Sequence, residues 1–104
     1  MATRTKQVSI YVNEADEWKR RPLPLELLRM LHREGLAGGT VVRTVAGFTG
    51  RGGVQTTSLV DAGGKLPLIV QFVDADENVT RVLPQLREMA ASRLITVHDV
   101  DVVP

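Results

Sequence analysis

Apolar positions recur along this chain at two spacings, and each change of spacing marks a change of element. Gln7 to Val12 alternates, which puts Val8, Ile10 and Val12 on one face of a strand. Asn13 to Arg21 is a charged connection that breaks the alternation. Pro22 and Pro24 then set φ for a helix start, where proline's missing N–H is no loss. Leu27, Leu28 and Leu31 follow at helical spacing, and Gly35 suits the position just past a helix end. Thr40 to Phe48 is dense in β-branched residues and predicts a second strand. Val54 to Val60 resumes that character, and Leu66 to Val73 predicts a buried third strand, with Gly63-Gly64 between them as a bulge or turn.

The second helix is expected to be capped by Asp74 or Asp76 and to turn Val79, Val82, Leu83, Leu86 and Met89 inward. Its periodicity runs straight through Pro84, which predicts one helix, kinked or started late there, rather than two. Leu94 to Val103 is the last expected strand, and its phase slips. Ile95 and Val97 share one face while Val100 and Val102 take the other, so a bulge or an end of regular pairing is expected near His98 and Asp99. The resulting order is βαββαβ. Two helices on one face of a four-stranded antiparallel sheet make an α+β, ferredoxin-like architecture. Residues 1–6 are expected to be a disordered N-terminus and residues 7–104 a single domain.

The connection between the second and third strands carries the most unusual residues. Simple hairpins turn in two to five residues. Here Gly47, Gly50, Gly52 and Gly53 spread over seven positions with Arg51 among them. A loop that flexible costs ordering entropy without adding core, which points to use in clasping a ligand or a partner.

Composition narrows the reading further. A chain of 104 residues, 43% hydrophobic and 24% charged, is an ordinary globular domain with a modest core, for which self-association is a common way to bury more surface. There is no cysteine, hence no disulfide framework and no thiolate metal site. No apolar run approaches a membrane span and no secretory h-region opens the chain, so a cytoplasmic protein without membrane insertion is expected. The net charge of +1 and the four aromatic residues argue against a nucleic-acid surface. Charge is unevenly spread all the same. Residues 1–53 hold nine Lys/Arg against five Asp/Glu (+4), and residues 54–104 hold four against seven (−3). Solvated faces account for such a split, and so does a local basic patch for an anionic small molecule.

The element order, with this loop between strands two and three, resembles the PII signalling proteins. The closer likeness is to the small uncharacterised PII-like proteins grouped as domain of unknown function 190. Ile10-Tyr11-Val12, Trp18 with Pro22-Leu23, Gly35-Leu36-Ala37-Gly38, Thr40-Val41, Gly47-Phe48, Leu66-Pro67 and Leu94-Ile95-Thr96 carry it, over roughly residues 7–102. The resemblance implies a homotrimer with its sheets facing inward and nucleotides bound in clefts between subunits. It also implies a long loop that changes shape to grip or release a transporter or enzyme. Two departures from PII are plain. The loop, about Gly47 to Val54, is shorter and has no tyrosine to be modified, and the turn Ala90-Ala91-Ser92-Arg93 lacks the PII glycines and lysine.

Candidate chemistry follows from these segments. Gly47-Phe48-Thr49-Gly50-Arg51-Gly52-Gly53 has the ingredients of an anion cradle, freed backbone N–H groups and a guanidinium, though without the Walker pattern. Arg43 leads into the loop along its strand, either as an inter-subunit salt bridge or as a functional charge, and Lys65 and Arg93 are further candidates if assembly brings them to one cleft. Effector contact is therefore expected at Arg43, Gly47, Gly50, Arg51, Gly52, Gly53, Lys65 and Arg93. Lys19-Arg20-Arg21 is a basic cluster, a solvated run or a phosphate clamp, beside a Trp18 suited to packing. His32 and His98 are isolated, so no metal site is expected, and no catalytic set can be assembled. The expected function is regulatory and not enzymatic: a trimer that binds a small anionic effector, with nucleotides among the candidates, and a partner protein. The alternatives are a metal-binding trimer like the copper-tolerance proteins, or a structural trimer with no ligand.

Overall fold

A computed structural model describes residues 4–57 and 65–104. Their elements are β1 (Thr5–Asn13), β2 (Glu17–Trp18), β3 (Arg21–Pro22), α1 (Leu23–Arg33), β4 (Thr40–Arg43), β5 (Ala46–Gly47), β6 (Gln55–Thr56), β7 (Pro67–Ala75), α2 (Asp76–Ala90) and β8 (Leu94–Val100). The main sheet is antiparallel with strand order β4-β7-β1-β8, the ferredoxin-like arrangement. Val54 falls before β6, while the rest of the expected run to Val60, after Thr57, and Gly63-Gly64 lie outside the described residues. No helix of the described residues is long and apolar enough to cross a membrane.

Alternation in β1 does what its spacing demands. Val8, Ile10 and Val12 are fully buried, and with Val70 and Phe72 of β7 they meet Leu27, Met30 and Leu31 of α1 and Val79, Val82, Leu86 and Met89 of α2. Burying each such side chain contributes roughly 1.5–3 kcal/mol. Pro24 sits in the first turn of α1, and Gly35 ends the helix with φ +79°. There Gly35 N–H donates to His32 O (3.1 Å) and Leu36 N–H to Leu31 O (3.1 Å), satisfying two terminal carbonyls while Leu36 folds back into the core. β1 starts at Thr5, two positions before the expected Gln7, because Thr5 pairs with both Ala75 and Val100.

The single helix expected through Pro84 is found, and two other expectations are corrected. Helix α2 runs unbroken from Asp76 to Ala90 with Pro84 inside it and exposed. Its N-cap residue is Ala75, with no side-chain cap. Asp74 instead accepts from Ala37 N–H (2.8 Å), Ala75 N–H (2.7 Å) and Asn78 Nδ2 (2.8 Å), tying the exit of α1 to the entry of α2. β8 pairs regularly with β1 from Leu94 to Val100, with no bulge. The phase slip needs none, because the helix-free face of the sheet is also apolar: Tyr11, Val42, Val73 and Leu94 are all exposed there. On that face Ser9 is buried and accepts a hydrogen bond from Gln71 Nε2 (3.2 Å).

The second strand is shorter than its composition suggests. β4 stops at Arg43 because the next residue, Thr44, turns its hydroxyl to Pro67 O (2.7 Å), and the chain then leaves the sheet to form the separate β5–β6 hairpin. β4 covers β7 only from Leu68 to Gln71, so the outer edge from Phe72 to Ala75 has no strand beside it among the described residues. Asn13 to Arg21 is also more ordered than a charged connection. β2 and β3 pair Glu17 with Pro22 and Trp18 with Arg21, leaving a two-residue turn of Lys19 (φ +51°) and Arg20 (φ +67°). Both are left-handed without being glycine, a conformation that costs roughly 1–2 kcal/mol each.

Candidate functional site

The sheet has two ends of different character. β1 finishes at Asn13, and around that end lie the β2–β3 hairpin, the β5–β6 hairpin, Lys65 at the entry to β7 and Arg93 just before β8. All eight sequence candidates stand at this end or on strands leading to it. The structure brings three of them, Gly47, Gly50 and Arg93, to one cavity of about 510 Å³ beneath the β5–β6 hairpin. Its floor is the end of the helix-free sheet face, with Tyr11, Ile69 and Leu94 beside Pro67 and under Phe48. Thr49 and Ser92 supply hydroxyls at the rim.

Gly47 is needed where it is. A Cβ there would come within 3.2 Å of Pro67 Cγ, so a larger residue would require the proline ring or the hairpin to shift by a few tenths of an ångström. Gly50 takes φ +57° at the turn, and Gly52 N–H donates to Thr49 O (3.1 Å). Arg51, Gly52 and Gly53 are exposed at the tip rather than in the cavity wall. Arg51 makes no ion pair among the described residues, so its charge is available. Arg43 is exposed at the end of β4, its Nε 3.9 Å from Glu14 Oε1 of the same chain. That Glu14 oxygen is buried and accepts no hydrogen bond from the described residues. Lys65 is exposed, with its carbonyl accepting from Asn13 Nδ2 at 3.5 Å.

Arg93 is the most constrained of the eight. Its N–H donates to Ala90 O (2.9 Å), its carbonyl accepts from the Arg87 guanidinium, and its own guanidinium is ion-paired with Asp16. The turn that delivers it includes Ala91 at φ +50°, a left-handed conformation that favours glycine. Asp16 is 11% exposed and also accepts from Asn13 N–H (2.8 Å), while its carbonyl accepts from Leu23 N–H (2.9 Å) at the start of α1. One carboxylate thus ties the base of the β2–β3 hairpin to the cavity wall.

Sequence reasoning overlooked Asp16 and the apolar floor. Tyr11 was visible as the off-phase member of the β1 alternation, and Leu94 as the residue out of phase with Ile95; both mark the sheet's second face. Nothing in the sequence joins Asp16 to a residue 77 positions away. Chemically, the cavity offers apolar surface with hydroxyls and one neutralised guanidinium, with the exposed cation of Arg51 at the hairpin tip beside it. Among the described residues no three His, Asp or Glu side chains are grouped as metal ligands.

Residues 5–102 match the family model DUF190, described as "Uncharacterized ACR". The chain is similar to the UPF0166 protein of Methanocaldococcus jannaschii, 33% identical over 97 residues that span 92% of this chain and 89% of the relative. It is also similar to a UPF0166 protein of Aquifex aeolicus, 29% identical over 98 residues, covering 94% of this chain and 92% of the relative.

Proposed function

The chain belongs to the DUF190 family, a PII-like group, and from that premise we propose that it is a trimeric regulatory protein gated by a small anionic effector. The effector enters the cavity under the β5–β6 hairpin and orders the segment from Gly47 to Val54, and the ordered loop presents a changed surface to a partner protein, a transporter or an enzyme. One observation carries the reading: a glycine-hinged hairpin, whose Arg51 has no ion pair among the described residues, stands over a cavity of about 510 Å³ at the end of the sheet. The apolar floor suits a planar ring and Arg51 an attached anion, a combination that nucleotides possess. The exposed Tyr11, Val42, Val73 and Leu94 on the helix-free face support a trimer in which those faces cover one another.

Thermal shift with nucleotides, cyclic dinucleotides, bicarbonate and divalent metals tests this reading. A ligand at 100 times its Kd adds about 2.7 kcal/mol, which raises the midpoint of a domain this size by roughly ten degrees or more. A large shift with nucleotides is expected and none with metals. Charge-assisted bonds contribute roughly 1.5–3 kcal/mol, so Arg51→Ala should weaken that effector about tenfold to a hundredfold while leaving the fold intact. A stable monomer by light scattering at micromolar concentration would remove the trimeric part of the reading.

A further inference from the structure

The β2–β3 hairpin carries features that the cavity does not use. Its turn is Lys19-Arg20, both left-handed, where Asn-Gly would adopt the same geometry without strain. Neither side chain has a carboxylate partner among the described residues. Lys19 Nζ lies over the Trp18 ring, 5.3 Å from its centroid. Arg21 stands 3.9 Å from a Glu26 that Arg29 already holds at 2.7 Å. Three adjacent exposed cations therefore stand on one short hairpin, two in its turn and Arg21 on β3. Its base is fixed by the Asp16 contacts, and Leu25, 47% exposed, flanks it on the first turn of α1.

The hairpin also marks a pole. Arg43, Arg51 and Lys65 share its end of the sheet, together with the exposed Val45 and Val54. Asp74, Asp76, Glu77, Asp99 and Asp101 lie at the opposite end, where Thr5 pairs with Ala75 and Val100, and outnumber the cations Arg4, Lys6 and Arg81 there. At the hairpin end the cations outnumber Glu14, Asp16, Glu17 and Glu26. A net charge of +1 hides this separation. A surface of negative potential would orient such a molecule hairpin-first.

We propose that this pole docks on an anionic lipid surface, with the Lys19-Arg20 tip as its leading contact. The strands behind the tip are two residues each, too short an edge to receive an extended peptide. Trp18 is half-buried and packed against the core, and Phe48 faces the cavity, which leaves no row of aromatic rings for stacking bases. Cations interspersed with single aliphatic side chains match a plane of negative headgroups with hydrocarbon just beneath.

Co-sedimentation of the full chain with vesicles tests the proposal, using equal parts phosphatidylglycerol and phosphatidylcholine against phosphatidylcholine alone, at low and physiological salt. Binding to the mixed vesicles only, weakened by salt, is expected. The double substitution Lys19→Asn with Arg20→Gly removes both charges while relaxing the turn. It should weaken vesicle binding about tenfold or more without lowering the thermal midpoint, so a loss cannot be put down to misfolding. Four outcomes would overturn the proposal, three of them with vesicles alone. Those three are no binding to the mixed vesicles, equal binding to both vesicle types, or wild-type binding by the double variant. Binding to polyglutamate with the vesicles ignored would also overturn it and would point to an acidic protein surface.

Discussion

Two small hairpins stand at the same end of this sheet, each built on paired strands of two residues, and they are opposites in how they hold their shape. The β2–β3 hairpin turns in two residues, contains no glycine, and is braced at its base by Asp16. The β5–β6 hairpin turns through Phe48 to Val54, holds three of its residues as glycine, and rests on the sheet mainly through Gly47 against Pro67 and Phe48 over the cavity. The first accepts local strain for a fixed shape, and the second accepts an entropy cost for freedom. Recognition surfaces differ accordingly. A fixed tip meets its target ready-made, and a free loop must be ordered by whatever it binds.

The sharpest way to break the contrast is to remove the brace. Asp16→Ala deletes the Arg93 ion pair and leaves Asn13 N–H without its acceptor, and should cost about 2–3 kcal/mol in urea unfolding. An effect under half a kcal/mol would make Asp16 incidental. Trypsin offers the next test, since both hairpins contain its cleavage residues. Cleavage after Arg51 should precede cleavage after Lys19 or Arg20 by about tenfold or more in rate, because the glycine turn opens without disturbing the core; the Arg21–Pro22 bond is not a tryptic site. First cuts at the basic tip would reverse the assignment of which hairpin is rigid. Smaller still, Arg20→Gly should stabilise the protein by about 1 kcal/mol by relieving a left-handed side chain.

The smallest effect lies at the far end of the sheet. Burial raises the Asp74 carboxyl's pKa, but hydrogen bonds from Asn78, Ala37 N–H and Ala75 N–H, with the field of Arg81, outweigh it and hold the group below its ordinary 3.8. A depressed folded value means that Asp74 stabilises the protein fully above the unfolded value and loses that contribution as pH falls through the folded one. Acid unfolding below about pH 4 should therefore be less steep in Asp74→Asn than in the wild type, starting from a lower stability at neutral pH.

The sequence made much of this fold legible for physical reasons that can be named residue by residue. Alternation in β1 and the stripe Leu27, Leu28, Leu31 report burial on one face, and burial is what periodicity measures. The β2–β3 hairpin stayed hidden because Lys-Arg is not a turn dipeptide; the tertiary frame imposes the turn on residues that would not choose it. The end of β4 stayed hidden because Thr44 is a good strand residue whose hydroxyl is taken by Pro67 O. At the site, glycines and basic residues could be found by composition. The apolar floor of Tyr11, Ile69 and Leu94 comes from three strands, and only their register in the sheet makes it a surface. Arg93 is a candidate in the sequence only on condition that assembly brings it to the cleft, and its charge is neutralised by an aspartate far away in sequence.

The unequal lengths of β4 and β7 bear on how this protein fails. From Phe72 to Ala75 the outer edge of β7 has no strand beside it, and such an edge is a template on which a strand of another molecule can lengthen the sheet. Asp74 stands in the middle of that stretch, where a charge on each of two approaching edges keeps them apart. Acid removes that charge and the helix tie together, so the step that loosens the far end also lifts its guard against polymerisation. Below about pH 4 the protein should be lost by edge-to-edge aggregation before it is lost as separate unfolded chains.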